Sequence, residues 1–205
     1  HLDLGEPRRV AEAVAQLGLR HVVITSVTRD DLPDGGAGIF AGTVAAIHEM
    51  VPGCGVEVLV PDFLGQEEPV RIVQGAAPEI FGHNIETVRR IHPSVRLKGG
   101  YERSLDVLAA ARRLAPHIPT KSGLMEIEAT MDDLLAVGVE ILTVGQYLRP
   151  TNTLRHVAVA RYYSPQEFEE LRQIGLAKGL RVVEAGPLVR SSYHADEQAE
   201  RLSNA

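Results

Sequence analysis

The apolar positions of this chain switch repeatedly between two periods. From Leu2 to Leu19 the residues Val10, Val14 and Leu17 recur at helical spacing, with Pro7 tolerated in the first turn and Gly18 as a stop. The next run, His21-Val22-Val23-Ile24-Thr25-Ser26-Val27, is β-branched and bounded by polar residues, which predicts a strand covered on both faces. A glycine-bearing loop from Arg29 to Gly38 follows. The same alternation then predicts helices near 37–51, 66–75, 85–91, 102–115, 126–137 and 165–178, and strands near 55–60, 79–83, 117–124, 139–144 and 180–185.

Helices alternating with strands imply right-handed parallel crossovers, hence a doubly wound sheet or a barrel. About six strands over 205 residues suit an open or partial barrel better than a complete eightfold one. No Gly-x-Gly-x-x-Gly follows a strand and no Gly-x-x-x-x-Gly-Lys-Ser/Thr occurs, so the usual dinucleotide and nucleotide-phosphate readings lose support. Without a repeat, low-complexity tract or long linker, residues 1–205 are expected to form one domain.

Composition narrows the partners. The net charge is −6 and the arginines are scattered among acids, so no basic patch for nucleic acid is visible. The longest apolar runs, such as Val56 to Val60 with Glu57 inside, are too short to cross a bilayer, and no secretion signal is recognised. A single cysteine, Cys54, rules out an internal disulfide and any site built from several of this chain's thiolates.

The candidate chemistry collects where strands end. The densest packet is Gly186-Pro187-Leu188-Val189-Arg190-Ser191-Ser192-Tyr193-His194-Ala195, which has neither a helical nor a strand period. A serine pair after a strand is also ordinary turn or cap chemistry, and Arg190 is also an ordinary surface cation. Five further strand exits carry hydrogen-bonding groups: Ser26 with Asp30 and Asp31, Asp62, Asn84 with Glu86, Lys121 with Ser122, and Gln146 with Tyr147. Each alone could be a cap or a solvated charge. Together on one rim they offer carboxylates for an amine or ribose, amides for a purine edge, and cations for a carboxylate. That inventory suits a zwitterionic, nucleoside-like cofactor better than a polyphosphate.

These segments resemble the lipoyl synthases of the radical S-adenosylmethionine superfamily. The resemblance rests on Val23-Ile24-Thr25-Ser26-Val27 with Arg29 to Ala37, Val56 to Phe63, His83 to Val88, Thr120 to Met125, Thr143 to Leu148 and the closing Gly186 to Ala195 packet, and it spans nearly the whole chain. It implies a partial (βα)6 TIM-type barrel whose rim binds S-adenosylmethionine beside a 4Fe-4S cluster, with an auxiliary 4Fe-4S cluster nearby. It further implies reductive cleavage of the cofactor and insertion of two sulfurs, drawn from the auxiliary cluster, at C6 and C8 of a lysine-bound octanoyl chain. The partners would be octanoylated lipoyl carrier domains, of a 2-oxoacid dehydrogenase E2 or the glycine cleavage H protein, and an electron donor such as flavodoxin or ferredoxin, in the bacterial cytoplasm by default. By the resemblance, Ser192 rather than Ser191 ligates the auxiliary cluster, and the segment 186–205 closes over it with Arg190 holding it in place. Ser26, Asp31, Asn84, Glu86, Lys121 and Gln146 are expected to contact the cofactor or the acyl chain. A hard alkoxide is a poor match for iron beside soft sulfide, which suits a ligand that must leave.

The chain also departs from the family. Both cysteine triplets are missing, as is a Gly-Leu-Gly-Glu-Thr loop expected at Met125-Glu126, and His1 stands where the segment after the second triplet should end. We expect these absences to mark the ordered residues of a longer protein, since the chain alone lacks six cluster ligands and would be inactive. The rival readings are an inactive fragment, a carrier-protein binding module and a biotin-synthase-like sulfur inserter.

Overall fold

The computed structural model describes residues 2–95, 99–124, 128–151 and 157–203. Six parallel strands, β1 (His21–Thr25), β2 (Gly55–Leu59), β3 (Ile80–Gly82), β4 (Thr120–Leu124), β5 (Ile141–Gly145) and β6 (Val182–Gly186), lie side by side in sequence order. An order without reversal has no switch point, so every crossover runs the same way and the sheet curls as a partial (βα)6 barrel rather than a doubly wound fold. The helices are α1 (Glu6–Leu17), α2 (Ala37–Met50), α3 (Glu67–Gly75), α4 (His92–Val95), α5 (Tyr101–Leu114), α6 (Glu128–Ala136), α7 (Pro165–Lys178) and α8 (Ala195–Ser203). Their starts and stops follow the sequence: α1 ends at Gly18 with φ 62°, and α7 opens on a capping box between Ser164 and Glu167.

Strand alternation separates two environments. One face, including Ile24, Val56, Val58 and Phe81 in the first half and Leu124, Leu142, Val144 and Val183 in the second, packs against the helices in two apolar clusters. The opposite face lines the lumen. There Gly82, Lys121, Ile141 and Val182 share one register row, Gly123, Thr143 and Glu184 the next, and Gly145 pairs with Gly186 above them. The lower lumen is closed by α8, whose Ala199 and Leu202 pack on Ile80, Ile141 and Val182.

Three expectations change. Residues 85–91 are not a helix: Glu86 has φ 69°, and the N–H groups of His83 and Glu86 donate to Lys121 and Gly123, drawing this backbone along β4 instead. β1 is only half buried, because it is an edge strand paired on one side by β2. The helix α8 has no counterpart among the sequence expectations. Those at His1 and the Met125-Glu126 junction lie outside the described residues.

Candidate functional site

At the C-terminal ends of the strands the rim holds two neighbouring clefts. One, of about 250 Å³, runs over β4 and β5 beneath Val189, Arg190 and Ser191. The other, of about 150 Å³, lies over β1 and β2 and includes Ser26. Asn84 and Glu86, leaving β3, line both.

The β3 exit is built to present these two side chains. His83 is fully buried, with Nδ1 2.8 Å from the Val60 carbonyl and Nε2 3.0 Å from Ser104 Oγ. A carbonyl only accepts, so Nδ1 carries the proton and Nε2 accepts from the serine. Glu86 sits in a γ-turn, its φ of 69° bridged by Thr87 N–H donating to Ile85 C=O. A carboxylate residue held in the left-handed region at a rim is strain of the kind that collects at binding sites. Asn84 Nδ2 donates to Ser191 Oγ at 2.8 Å, and that hydroxyl donates back to Asn84 Oδ1 at 3.0 Å. Residues 107 apart in sequence are thereby joined across the mouth.

Glycine forms the floor. A Cβ on Gly123 would come within 2.7 Å of Asn84 Oδ1, and one on Gly145 within 2.3 Å of the Val189 carbonyl oxygen. Arg190 curls over the same place, Nη1 donating to Val189 C=O at 2.6 Å, and is exposed with no ion pair among the described residues. Ser191 faces the cleft, whereas Ser192 is exposed beside it.

Two expected contacts are placed differently, whereas Gln146 lines the cleft over β4 and β5. Gln146 is buried and fully used: Nε2 donates to the Tyr147 and Arg161 carbonyls, and Oε1 accepts from Tyr163 N–H, pinning Tyr147, Arg161 and Tyr163 to the end of β5. Asp31 is exposed and held by Arg29 at 2.6 Å, away from both clefts. That guanidinium keeps the Asp31 carboxyl at about 2, so carboxylate chemical shifts followed against pH should show it titrating there, and Arg29→Gln should return it toward its ordinary 3.8. An ordinary midpoint in the unaltered chain would refute the pairing.

Lys121 does not reach the rim. Its side chain is 2% exposed and its Nζ lies 2.9 Å from the Glu57 carboxylate, itself 0% exposed, across the lumen. Burial pushes Glu57 up and Lys121 down, and their mutual attraction opposes both shifts. Sequence reasoning missed Glu57 and Glu184. A charge inside the apolar run Val56–Val60 was the available signal for the first.

A model of the radical SAM superfamily matches residues 1–137. A lipoyl synthase of Rubrobacter xylanophilus is 56% identical over 97% of this chain and 64% of its own length, and one of Geobacillus kaustophilus 53% identical over 100% and 70%. The chain belongs to the lipoyl synthase family. It spans about two-thirds of the length of these lipoyl synthases. Among solved structures, the FeFe-hydrogenase maturase HydG from Carboxydothermus hydrogenoformans aligns with a TM-score of 0.66 at 15% identity, covering 98% of this chain and 49% of that one. Methylornithine synthase aligns at 0.62 and 12% identity, covering 99% and 73%. At such identities these two show that the lipoyl synthase fold seen here is the partial barrel of that superfamily, and nothing finer.

The lipoyl synthase packet Arg190-Ser191-Ser192 stands opposite Asn84 and Glu86 over a glycine floor. This places a cation, an amide, a carboxylate and hydroxyls around one concavity. Among the described residues no three His, Cys, Asp or Glu side chains gather to hold a metal, and Cys54 lies at the opposite end of β2 from the rim.

Proposed function

We propose that this chain is the barrel portion of a lipoyl synthase, an S-adenosylmethionine-dependent enzyme that inserts sulfur at C6 and C8 of an octanoyl group on a carrier-domain lysine. The observation that carries the reading is the Asn84–Ser191 pair, which ties the β3 exit to the Arg-Ser-Ser packet above the glycine floor.

The residues present fit S-adenosylmethionine. When bound, the cofactor supplies the hydrogen-abstracting radical. Arg190, without a carboxylate partner among the described residues, would hold the cofactor's carboxylate, and Glu86 its ammonium or ribose hydroxyls. Asn84 and Ser26 offer hydrogen bonds beside them, and the missing Cβ atoms of Gly123 and Gly145 let Asn84 and the Val189 backbone close in over the ends of β4 and β5. Gln146 lines the same cleft with its amide committed to the β5–α7 loop, whereas Asp31 and Lys121 act at a distance, through the β1 exit and the lumen. The 4Fe-4S clusters do not fit the residues present, which include no cysteine at the rim. Ser192, exposed beside the cleft, is kept as a candidate fourth ligand whose companions would come from residues this chain does not contain. Octanoylated carrier domains and a flavodoxin- or ferredoxin-type donor are the proposed partners. The bacterial relatives support a cytoplasmic setting, and no described helix is long and apolar enough to cross a membrane.

Titration calorimetry tests the cofactor assignment on the chain as it stands. S-adenosylmethionine is expected to bind saturably, and Asn84→Ala to weaken it by up to about tenfold, the worth of a lost hydrogen bond. Absence of saturable binding, or equal affinity in the variant, would count against the site. The missing cluster ligands favour a second reading, an inert carrier-binding module. Iron and sulfide content after anaerobic reconstitution of a protein carrying both cysteine triplets separates the two: two clusters support the enzyme, and none supports the module.

A further inference from the structure

The Ser191–Ser192 turn is held from two sides. In front, Asn84 pairs with Ser191. Behind, Tyr193 N–H closes the turn onto the Arg190 carbonyl, and the Tyr193 carbonyl accepts from Gln198 Nε2 at 2.7 Å. Gln198 is 0% exposed, and its Oε1 has no hydrogen-bond partner among the described residues. It lies on α8, the helix that closes the lower lumen. That helix is anchored at its far end by Arg201 Nη1 donating to Glu184 Oε1 at 2.6 Å and by Arg181 Nη2 donating to the Leu202 carbonyl at 3.0 Å.

A buried amide with one unmet acceptor is a poor way to stabilise a core. An apolar side chain of the same length would fill the space without leaving a polar atom unsatisfied. What the amide does provide is a directed hold on one carbonyl, one residue after Ser192. We propose that Gln198 is a positioning residue, through which the lumen helix α8 sets the place of the Ser191 and Ser192 hydroxyls on the rim. The inference rests on the reading of that rim as the reactive site only for its importance to function. The geometry stands without it.

The test compares the full chain with Gln198→Met and, as a second route to the same effect, Arg201→Met. Amide hydrogen exchange is followed by mass spectrometry beside thermal unfolding. A merely structural glutamine predicts a lower midpoint with protection lost throughout the sheet. A positioning glutamine predicts for Gln198→Met an unchanged or higher midpoint, unchanged exchange in β2 to β5, and exchange about tenfold faster across residues 190–194. Arg201→Met should loosen the same segment. Unchanged exchange at 190–194 in Gln198→Met, or a loss spread evenly over the sheet, overturns the proposal. Calorimetry with S-adenosylmethionine on the unaltered chain reads the cofactor assignment separately, so failure of one is told apart from failure of the other.

Discussion

Lys121→Met is expected to destabilise the chain by about 3–5 kcal/mol, and adding Glu57→Leu is expected to restore most of that loss. The single change leaves a carboxylate at 0% exposure with no counter-ion, whereas the double change removes both charges from a lumen in which Ile80 already pairs with Glu57, and Ile141 and Val182 share the row of Lys121. Urea unfolding midpoints measure both. The pH dependence carries a sign as well. Burial holds the proton on folded Glu57 above its ordinary 4.5, so the folded state binds more protons than the unfolded one between 4.5 and the raised value. This contribution is therefore complete below about 4.5 and is lost as pH rises through the folded value. Without Lys121 the folded value rises further, and the loss with rising pH should extend over a wider range. A Lys121→Met chain within about 1 kcal/mol of the original, with the same pH profile, would contradict the account.

Gly145→Ala is expected to damage the rim more than any neighbouring single methyl. Its Cβ would stand 2.3 Å from the Val189 carbonyl oxygen and 3.0 Å from Arg190 Nη1. The first of these is backbone and cannot rotate aside, so the segment crossing above β5 must move. Overpacking of this kind costs about 1–3 kcal/mol, and because the displaced segment carries Arg190 and Ser191, cofactor affinity should fall more than tenfold. Gly75→Ala is the control: nothing lies within 4 Å of its Cβ at the end of α3, and the change should be neutral or slightly stabilising. Gly145→Ala matching the original chain in both unfolding and calorimetry would refute the close crossing.

The barrel was legible because its helix-facing residues follow simple periods: Val56 and Val58, Leu142 and Val144 recur every second position, and α1 and α7 carry Gly18 and Ser164 at their ends. The segment 85–91 misled because its pattern fits a turn of helix while its backbone is claimed by β4, a partner distant in sequence. At the rim, Asn84, Glu86 and Arg190 could be found as polar residues after strands. Lys121 was counted with them yet lies inside β4 and points into the lumen, because its register with Gly82 and Ile141 decides its direction, and register is set by pairing. Helix α8 was hidden because its apolar stripe is only Ala195, Ala199 and Leu202, matched to a lumen that sequence alone does not reveal.

The meeting of α8 with β1 and β6 brings together residues from opposite ends of the described chain. Each βα unit pairs strands adjacent in sequence and can form first, whereas closing so long a loop repays its entropy only near the end of folding. Until then Glu57, Lys121 and Glu184 keep their water. The removal of that water, the covering of Ile80, Ile141 and Val182, and the seating of Ser191 against Asn84 thus fall together in one late event.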